Sequence, residues 1–149
     1  MLSLINYAGT KIKYLDIINT YIQNSRYSIY VEPFLGSGSV FLNLHKKFDR
    51  YILNDSDRNL IRIFRSFKHG DYTSFLNAKS QLGNIGNNKS KYYKFRKYFN
   101  SEIWKSNTIA EGFYLYFLFN SCINSMPRFG PSGFNQSYGN RFRSLNSYQ

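Results

Sequence analysis

Two carboxylates and two glycines stand where a chain could grip a small ligand. In Tyr30-Val31-Glu32-Pro33-Phe34-Leu35-Gly36-Ser37-Gly38-Ser39-Val40-Phe41-Leu42-Asn43, an apolar run ends at Glu32 and passes through a glycine turn into an amphipathic segment. Gly36 and Gly38 permit a positive φ or a ligand packed on bare backbone, and a helix beginning beyond them would aim its unpaired N–H groups at that ligand. Glu32 would repel phosphates, so a ligand with positive charge or hydroxyl donors suits the turn better. S-adenosylmethionine has both. A second acid, Asp55, follows the apolar run Tyr51-Ile52-Leu53-Asn54, about twenty residues beyond the glycines. That is the spacing at which the acid of a βαβ unit accepts hydrogen bonds from ribose hydroxyls. The bland alternative for Gly-x-Gly is an ordinary strand-to-helix turn whose glycines serve close packing, and Asp55 weighs against it.

Holding these groups in place requires alternating strands and helices. Ile12, Leu15, Ile18, Tyr21 and Ile22 recur at three- and four-residue steps and predict a helix over Lys11–Ile22. Ser28–Phe34 reads as the first strand, Ser39–Lys47 as the helix after the glycines, and Arg50–Asn54 as the second strand. Asp57 is placed to cap a helix over Arg58–Phe67, with Leu60, Ile61, Ile63, Phe64 and Phe67 on its apolar face. This α-β-α-β-α order begins a doubly wound sheet. Beyond Gly70 strand signals stop, and helices are expected over Tyr72–Leu82 and about Tyr92–Phe99, separated by a polar loop from Gly83 to Asn88. Ile109–Asn120 is dense in aromatic rings and reads as a buried helix, its rings serving the core in preference to base stacking. Pro127, Gly130, Pro131 and Gly133 break Met126–Tyr138 into a loop or β-hairpin, and the Asn/Ser-rich tail after Gly139 is expected to be partly disordered.

Composition narrows the partners. The 149 residues have the length of one domain, and 20 lysines and arginines against 8 acids give a net charge of +12. Such a charge on a small body costs stability through self-repulsion unless a polyanion relieves it, which points to nucleic acid. Cys122 has no partner for an internal disulfide, and without a CxxC or a histidine cluster no metal site is expected. His45 and His69 are isolated and receive no role. With no signal-peptide pattern and no apolar run of membrane length, a soluble cytoplasmic protein is expected.

Several separated pieces together resemble the Dam-type (D12 class) DNA adenine-N6 methyltransferases. They are Tyr7-Ala8-Gly9-Thr10-Lys11, Val31 to Gly38, Leu53-Asn54-Asp55, Tyr92 to Asn100, Asn120-Ser121-Cys122, Asn124 to Phe129 and Gly133 to Gly139, in the family's order over nearly the whole chain. Thr10 departs from the pattern, standing where a second glycine is usual. The resemblance implies an α/β, Rossmann-like S-adenosylmethionine-dependent methyltransferase fold with a partial sheet and a helical, hairpin-bearing DNA-recognition insertion. Residues 1–69 would form the first part of the cofactor domain and 70–149 the recognition region with a basic tail. Tyr7, Ala8, Gly9, Lys11, Glu32, Pro33, Phe34, Gly36, Gly38 and Asp55 would bind S-adenosylmethionine. Tyr7 would line the adenosine pocket, Lys11 would reach the donor's carboxylate, Glu32 its positively charged end and Asp55 its ribose. Double-stranded DNA would meet Asn124, Met126, Arg128, Ser137, Arg141 and Arg143. Arg128 fits two roles, a bidentate contact to guanine or a phosphate contact that positions without specifying.

The family's chemistry rests on an Asp-Pro-Pro-Tyr element that receives a flipped-out adenine. The prolines here are Pro33, Pro127 and Pro131, no two of them adjacent, so these rows do not hold that element. By resemblance it lies beyond the recognition hairpin, together with the later strands of the sheet. Three readings follow: a split enzyme completed by a second polypeptide, a non-catalytic relative that binds donor or DNA as a regulator or competitor, and an unrelated basic nucleic-acid-binding domain that takes no cofactor.

Overall fold

A helix apolar on every side has to be surrounded by protein. In the computed structural model, which describes residues 3–82 and 88–140, that helix is Ile109–Ser121, and every residue from Glu111 to Ser121 is buried. Among the described residues four α-helices precede it: α1 Leu15–Gln23, led in by a 3-10 turn at Ile12–Tyr14, α2 Arg58–His69, α3 Tyr72–Leu82 and α4 Lys89–Tyr98, the last continued by a π-helical turn at Phe99–Ile103. The Ile109–Ser121 helix is therefore α5, and it packs against α2 and α3. At Gly112 the two helices lie so near that any Cβ would strike the Ser66 hydroxyl and the Arg62 carbonyl of α2. The Ser66 hydroxyl also donates to the Ile109 carbonyl, tying the two helices at that crossing. Phe67, Phe75, Phe113, Tyr116 and Phe117 form a chain of mostly tilted or edge-on ring contacts through this core, the geometry that aromatic quadrupoles favour.

Beside this helical body, β1 Ile29–Glu32 and β2 Arg50–Leu53 pair in parallel, with Ile29 opposite Arg50 and Glu32 opposite Leu53. The pairing extends past the strands, since Asn54 N–H donates to the Glu32 carbonyl at 2.9 Å and Leu35 N–H to the Asn54 carbonyl at 2.8 Å. The predicted α-β start and the mixed helix and strand class therefore stand. The helix expected over Ser39–Lys47 does not form: only a 3-10 turn, Phe41–Asn43, occupies that stretch. Asn19 on α1 is the physical reason. Its amide donates to the Asn43 carbonyl at 3.0 Å and accepts from the His45 N–H at 3.0 Å, while the Asn43 side chain takes the Ser39 carbonyl at 2.7 Å. Backbone groups that a helix would pair are thus satisfied by side chains, and Leu44 turns extended.

The expected hairpin is present as β3 Phe129–Gly130 and β4 Gly133–Phe134, paired antiparallel across Pro131 and Ser132. The loop from Gly83 to Asn87 and the tail from Arg141 lie outside the described residues. Among the described residues no helix is long and apolar enough to cross a membrane, and no group of three metal-ligating side chains occurs.

Candidate functional site

Open α/β sheets take ligands beyond the C-terminal ends of their parallel strands, and here that region gathers residues from three separated segments. The glycine turn leaves β1 with Gly38 N–H donating to the Leu35 carbonyl at 2.9 Å, and Gly36 and Gly38 adopt φ of 52° and 71°. Their surroundings differ. A Cβ on Gly38 would lie 2.6 Å from the Phe64 ring, so this glycine serves packing against α2. A Cβ on Gly36 would find only Tyr7, at 3.9 Å. Gly36 is the one whose bare backbone faces open space.

Asp55 fastens this turn. Its Oδ2 accepts the Gly36 N–H at 2.8 Å and its Oδ1 accepts the Asp57 N–H at 2.9 Å. Asp57 in turn caps α2 by accepting the Asn59 N–H at 2.9 Å, as the sequence predicts. Tyr7 completes the group. Burial raises its phenol above the ordinary tyrosine value, and the negative charges of Asp57 and Asp55 raise it further. Ile5, fully buried, and Asn6, whose N–H donates to Asn120 Oδ1 at 3.3 Å, anchor Tyr7 to the end of α5.

Glu32 is half-buried at the end of β1 and accepts the Tyr30 hydroxyl at 2.9 Å. Burial holds its carboxyl above the usual range, opposed by the Tyr30 hydroxyl and the Phe41 N–H, which bond the charged form. Pro33 is exposed and its carbonyl accepts from Asn54 at 3.3 Å, while Phe34 projects into solvent at 85% exposure. Ala8 and Gly9 are exposed. Lys11 donates its backbone N–H to the Ser39 hydroxyl at 3.3 Å, beside the glycine turn, and its ammonium to the Gly9 carbonyl at 2.9 Å.

A second cluster surrounds the hairpin. Asn124 and Ser125 both hold left-handed backbone, at φ 54° and 50°, conformations that concentrate at functional loops. Asn124, Met126, Arg128 and Ser137 are all exposed. Arg128 lies across the hairpin, with Nε donating to Asn135 Oδ1 at 2.8 Å and Nη2 to the Asn135 carbonyl at 3.4 Å. Arg141 and Arg143 lie outside the described residues. Two residues without an assigned role in the sequence reading position this hairpin. Asn100 donates to the Phe134 carbonyl and accepts its N–H, both at 2.9 Å. Arg96 stacks over Tyr93 at 4.7 Å and donates to the Gln136 carbonyl at 2.9 Å. An open groove of about 530 Å³ runs beside them, lined by Tyr93, Arg96, Lys97, Asn100 and Ser101. Only the resemblance over Tyr92 to Asn100 could have drawn attention to this helix. Cys122 takes no part: it is buried, and burial pushes its thiol up to about 12.

Parallel strands ending in a glycine turn held by Asp55, and an exposed antiparallel hairpin set on a helical body, make this a mixed helix and strand protein. Residues 7–149 match the D12 class N6 adenine-specific DNA methyltransferase family, and the chain belongs to that family. It is 28% identical to a DNA adenine methylase of Serratia marcescens over 138 residues, covering 92% of this chain and 48% of that protein. It shares the same identity over 138 residues with a DNA N-6-adenine-methyltransferase of Escherichia phage P1, of which it covers 17%. With a DNA adenine methylase of Escherichia coli K12 it is 35% identical over 98 residues, 66% of this chain and 34% of that protein. The chain thus spans about half the length, or less, of these curated relatives.

Proposed function

We propose that this chain forms the methyl-donor site and the target-recognition hairpin of a site-specific DNA adenine-N6 methyltransferase, with residues 1–69 serving the donor and 70–149 the DNA. The observation that carries the reading is the convergence of Tyr7, Gly36 and Asp55 at the ends of two parallel strands in a member of this family. A Rossmann-like sheet, of which β1 and β2 are the first pair, is the matching fold. S-adenosylmethionine would supply the methyl group. The residues fit it: Gly36 leaves room beside an aromatic ring for the adenosine, Asp55 stands at the second strand's tip for the ribose, and Glu32 presents a carboxylate to a cationic ligand. Asp55 would then divide its lone pairs between the Gly36 and Asp57 amides and the ribose hydroxyls.

On the DNA side, Arg128 would use a guanidinium already oriented by Asn135, and Arg96 and Lys97 would line the path of the phosphates. Because the chain holds no adjacent prolines, binding is assigned to this chain and the flipped-base chemistry to residues outside it. Calorimetry tests the donor site: S-adenosylmethionine should bind, and Asp55→Ala should weaken binding tenfold or more, about 1.4 kcal/mol. Failure of the folded chain to bind would remove the donor site. DNA affinity should fall steeply and log-linearly with salt, and a salt-insensitive or absent interaction would remove the nucleic-acid assignment.

A further inference from the structure

The carboxylate of Glu111 is buried, yet it reaches away from the helix that carries it. Glutamate at the third position of a helix commonly bonds back to the N–H of the N-cap. Here the N-cap is Thr108, whose N–H goes to the Ser106 hydroxyl at 3.4 Å. Glu111 reaches further back: Oε1 accepts the Lys105 N–H at 3.1 Å and Oε2 the Asn107 N–H at 3.2 Å. Both of those residues hold left-handed backbone, at φ 64° and 55°, a conformation that a residue other than glycine keeps where its surroundings fix it. Arg62 of α2 closes the group, with Nε 3.8 Å from Glu111 Oε2 and Nη2 donating to Asn107 Oδ1 at 3.4 Å. One buried carboxylate thus sets the path of the chain over 104–107.

Trp104, at the head of that loop, bears on the hairpin. A Cβ on Gly133 of β4, where φ is 103°, would lie 2.9 Å from the Trp104 ring and 2.5 Å from Asn100 Oδ1. The ring therefore presses on bare backbone, next to the bonds that Asn100 makes to Phe134. The Lys105 ammonium lies over the same ring, 4.2 Å from its centroid. We infer that Glu111 is a positioning residue for the hairpin: by fixing 104–107 it seats the Trp104 ring against Gly133, and through that ring it sets where the hairpin points. That a hairpin so placed selects DNA rests on the methyltransferase reading. The geometry calls for a carboxylate. Each oxygen accepts a backbone N–H, whereas glutamine would offer one acceptor and one donor there and keep only one of the two bonds.

Trp104 is the single tryptophan of the chain, so its fluorescence reports this contact. In Glu111→Gln, acrylamide should quench it at least twofold more steeply than in the parent, and exchange of the Phe134 amide should quicken at least tenfold. The destabilising control Leu15→Ala, at a buried residue of α1 outside the core cluster that includes Phe134, should change neither, because so short a hairpin exchanges by local opening. Trp104→Ala, which leaves the carboxylate in place, should quicken the Phe134 amide to a like extent, and adding Glu111→Gln should quicken it no further. From a pool of short random duplexes the parent should enrich a common sequence. Charge alone predicts that Glu111→Gln binds it more tightly, since the variant loses one negative charge from a chain of net +12. Seating predicts the reverse, binding at least fivefold weaker with an unchanged salt slope. Quenching and exchange like the parent's in Glu111→Gln would overturn the inference, as would undiminished binding of the enriched sequence. A parent that enriches no sequence, with Trp104 and Phe134 loosened in the variant, would leave the role of Glu111 in seating the hairpin intact and remove the DNA reading.

Discussion

Around α5, eleven consecutive residues from Glu111 to Ser121 are buried, whereas β1 alternates exposed and half-buried residues and buries none. The hairpin is attached to the first region: Phe119 of α5 meets Phe129 and Phe134. The glycine turn emerges from the second. One polypeptide therefore carries a densely buried helical unit and a thinly buried two-stranded one, and the two candidate binding sites divide between them. Burial also differs in kind. The helical body satisfies even its buried acid, since Glu111 accepts the Lys105 and Asn107 N–H groups at 3.1 and 3.2 Å with Arg62 Nε 3.8 Å away. Glu32, in the sheet, is desolvated with its carboxyl held above the usual range.

The sharpest way to break this comparison is to remove a ring from the helical core. Phe119→Ala should cost about 3–5 kcal/mol of stability in denaturant unfolding, because a fully buried side chain leaves a cavity. A loss below about 1 kcal/mol would mean that the core is less closed than its burial indicates. Glu32→Gln should have a smaller effect of opposite sign. A carboxyl whose folded value is raised contributes stability below its unfolded value and loses it as pH rises through the folded value. Keeping the desolvated carboxylate charged at neutral pH therefore costs stability, so the variant should melt higher than the parent there. That advantage should shrink as pH falls through the carboxylate range, while donor binding by Glu32→Gln should decline. The smallest effect belongs to an exposed position of β1: Val31→Ala, at 54% exposure, should change the chain's stability by no more than about 0.5 kcal/mol. A loss near that of Phe119→Ala would show Val31 to be buried in solution.

The helices were legible because they obey a local period. Arg58–His69 begins at the capping aspartate and carries Leu60 and Ile63 fully buried, on the face that spacing predicts. The turn with its two glycines and Asp55 was legible as residue types at a known spacing. That Asp55 would hold the Gly36 amide was not, because the bond joins positions 19 residues apart through the register of two strands. The same holds for the missing helix after the glycines: Ser39–Lys47 has helical periodicity, and a single asparagine 24 residues earlier overrides it. Arg96 and Asn100 escaped assignment because their partners are backbone groups, which no residue pattern reveals.

Asn100 holds the hairpin while leaving its side chains free. By bonding both the N–H and the carbonyl of Phe134, its amide imitates one rung of a neighbouring strand beside a hairpin whose own ladder spans two residues per strand. Its grip is on main chain alone. Side chains at the hairpin's exposed tip can therefore be exchanged without altering where the tip points, so the scaffold and the surface it presents are able to evolve separately.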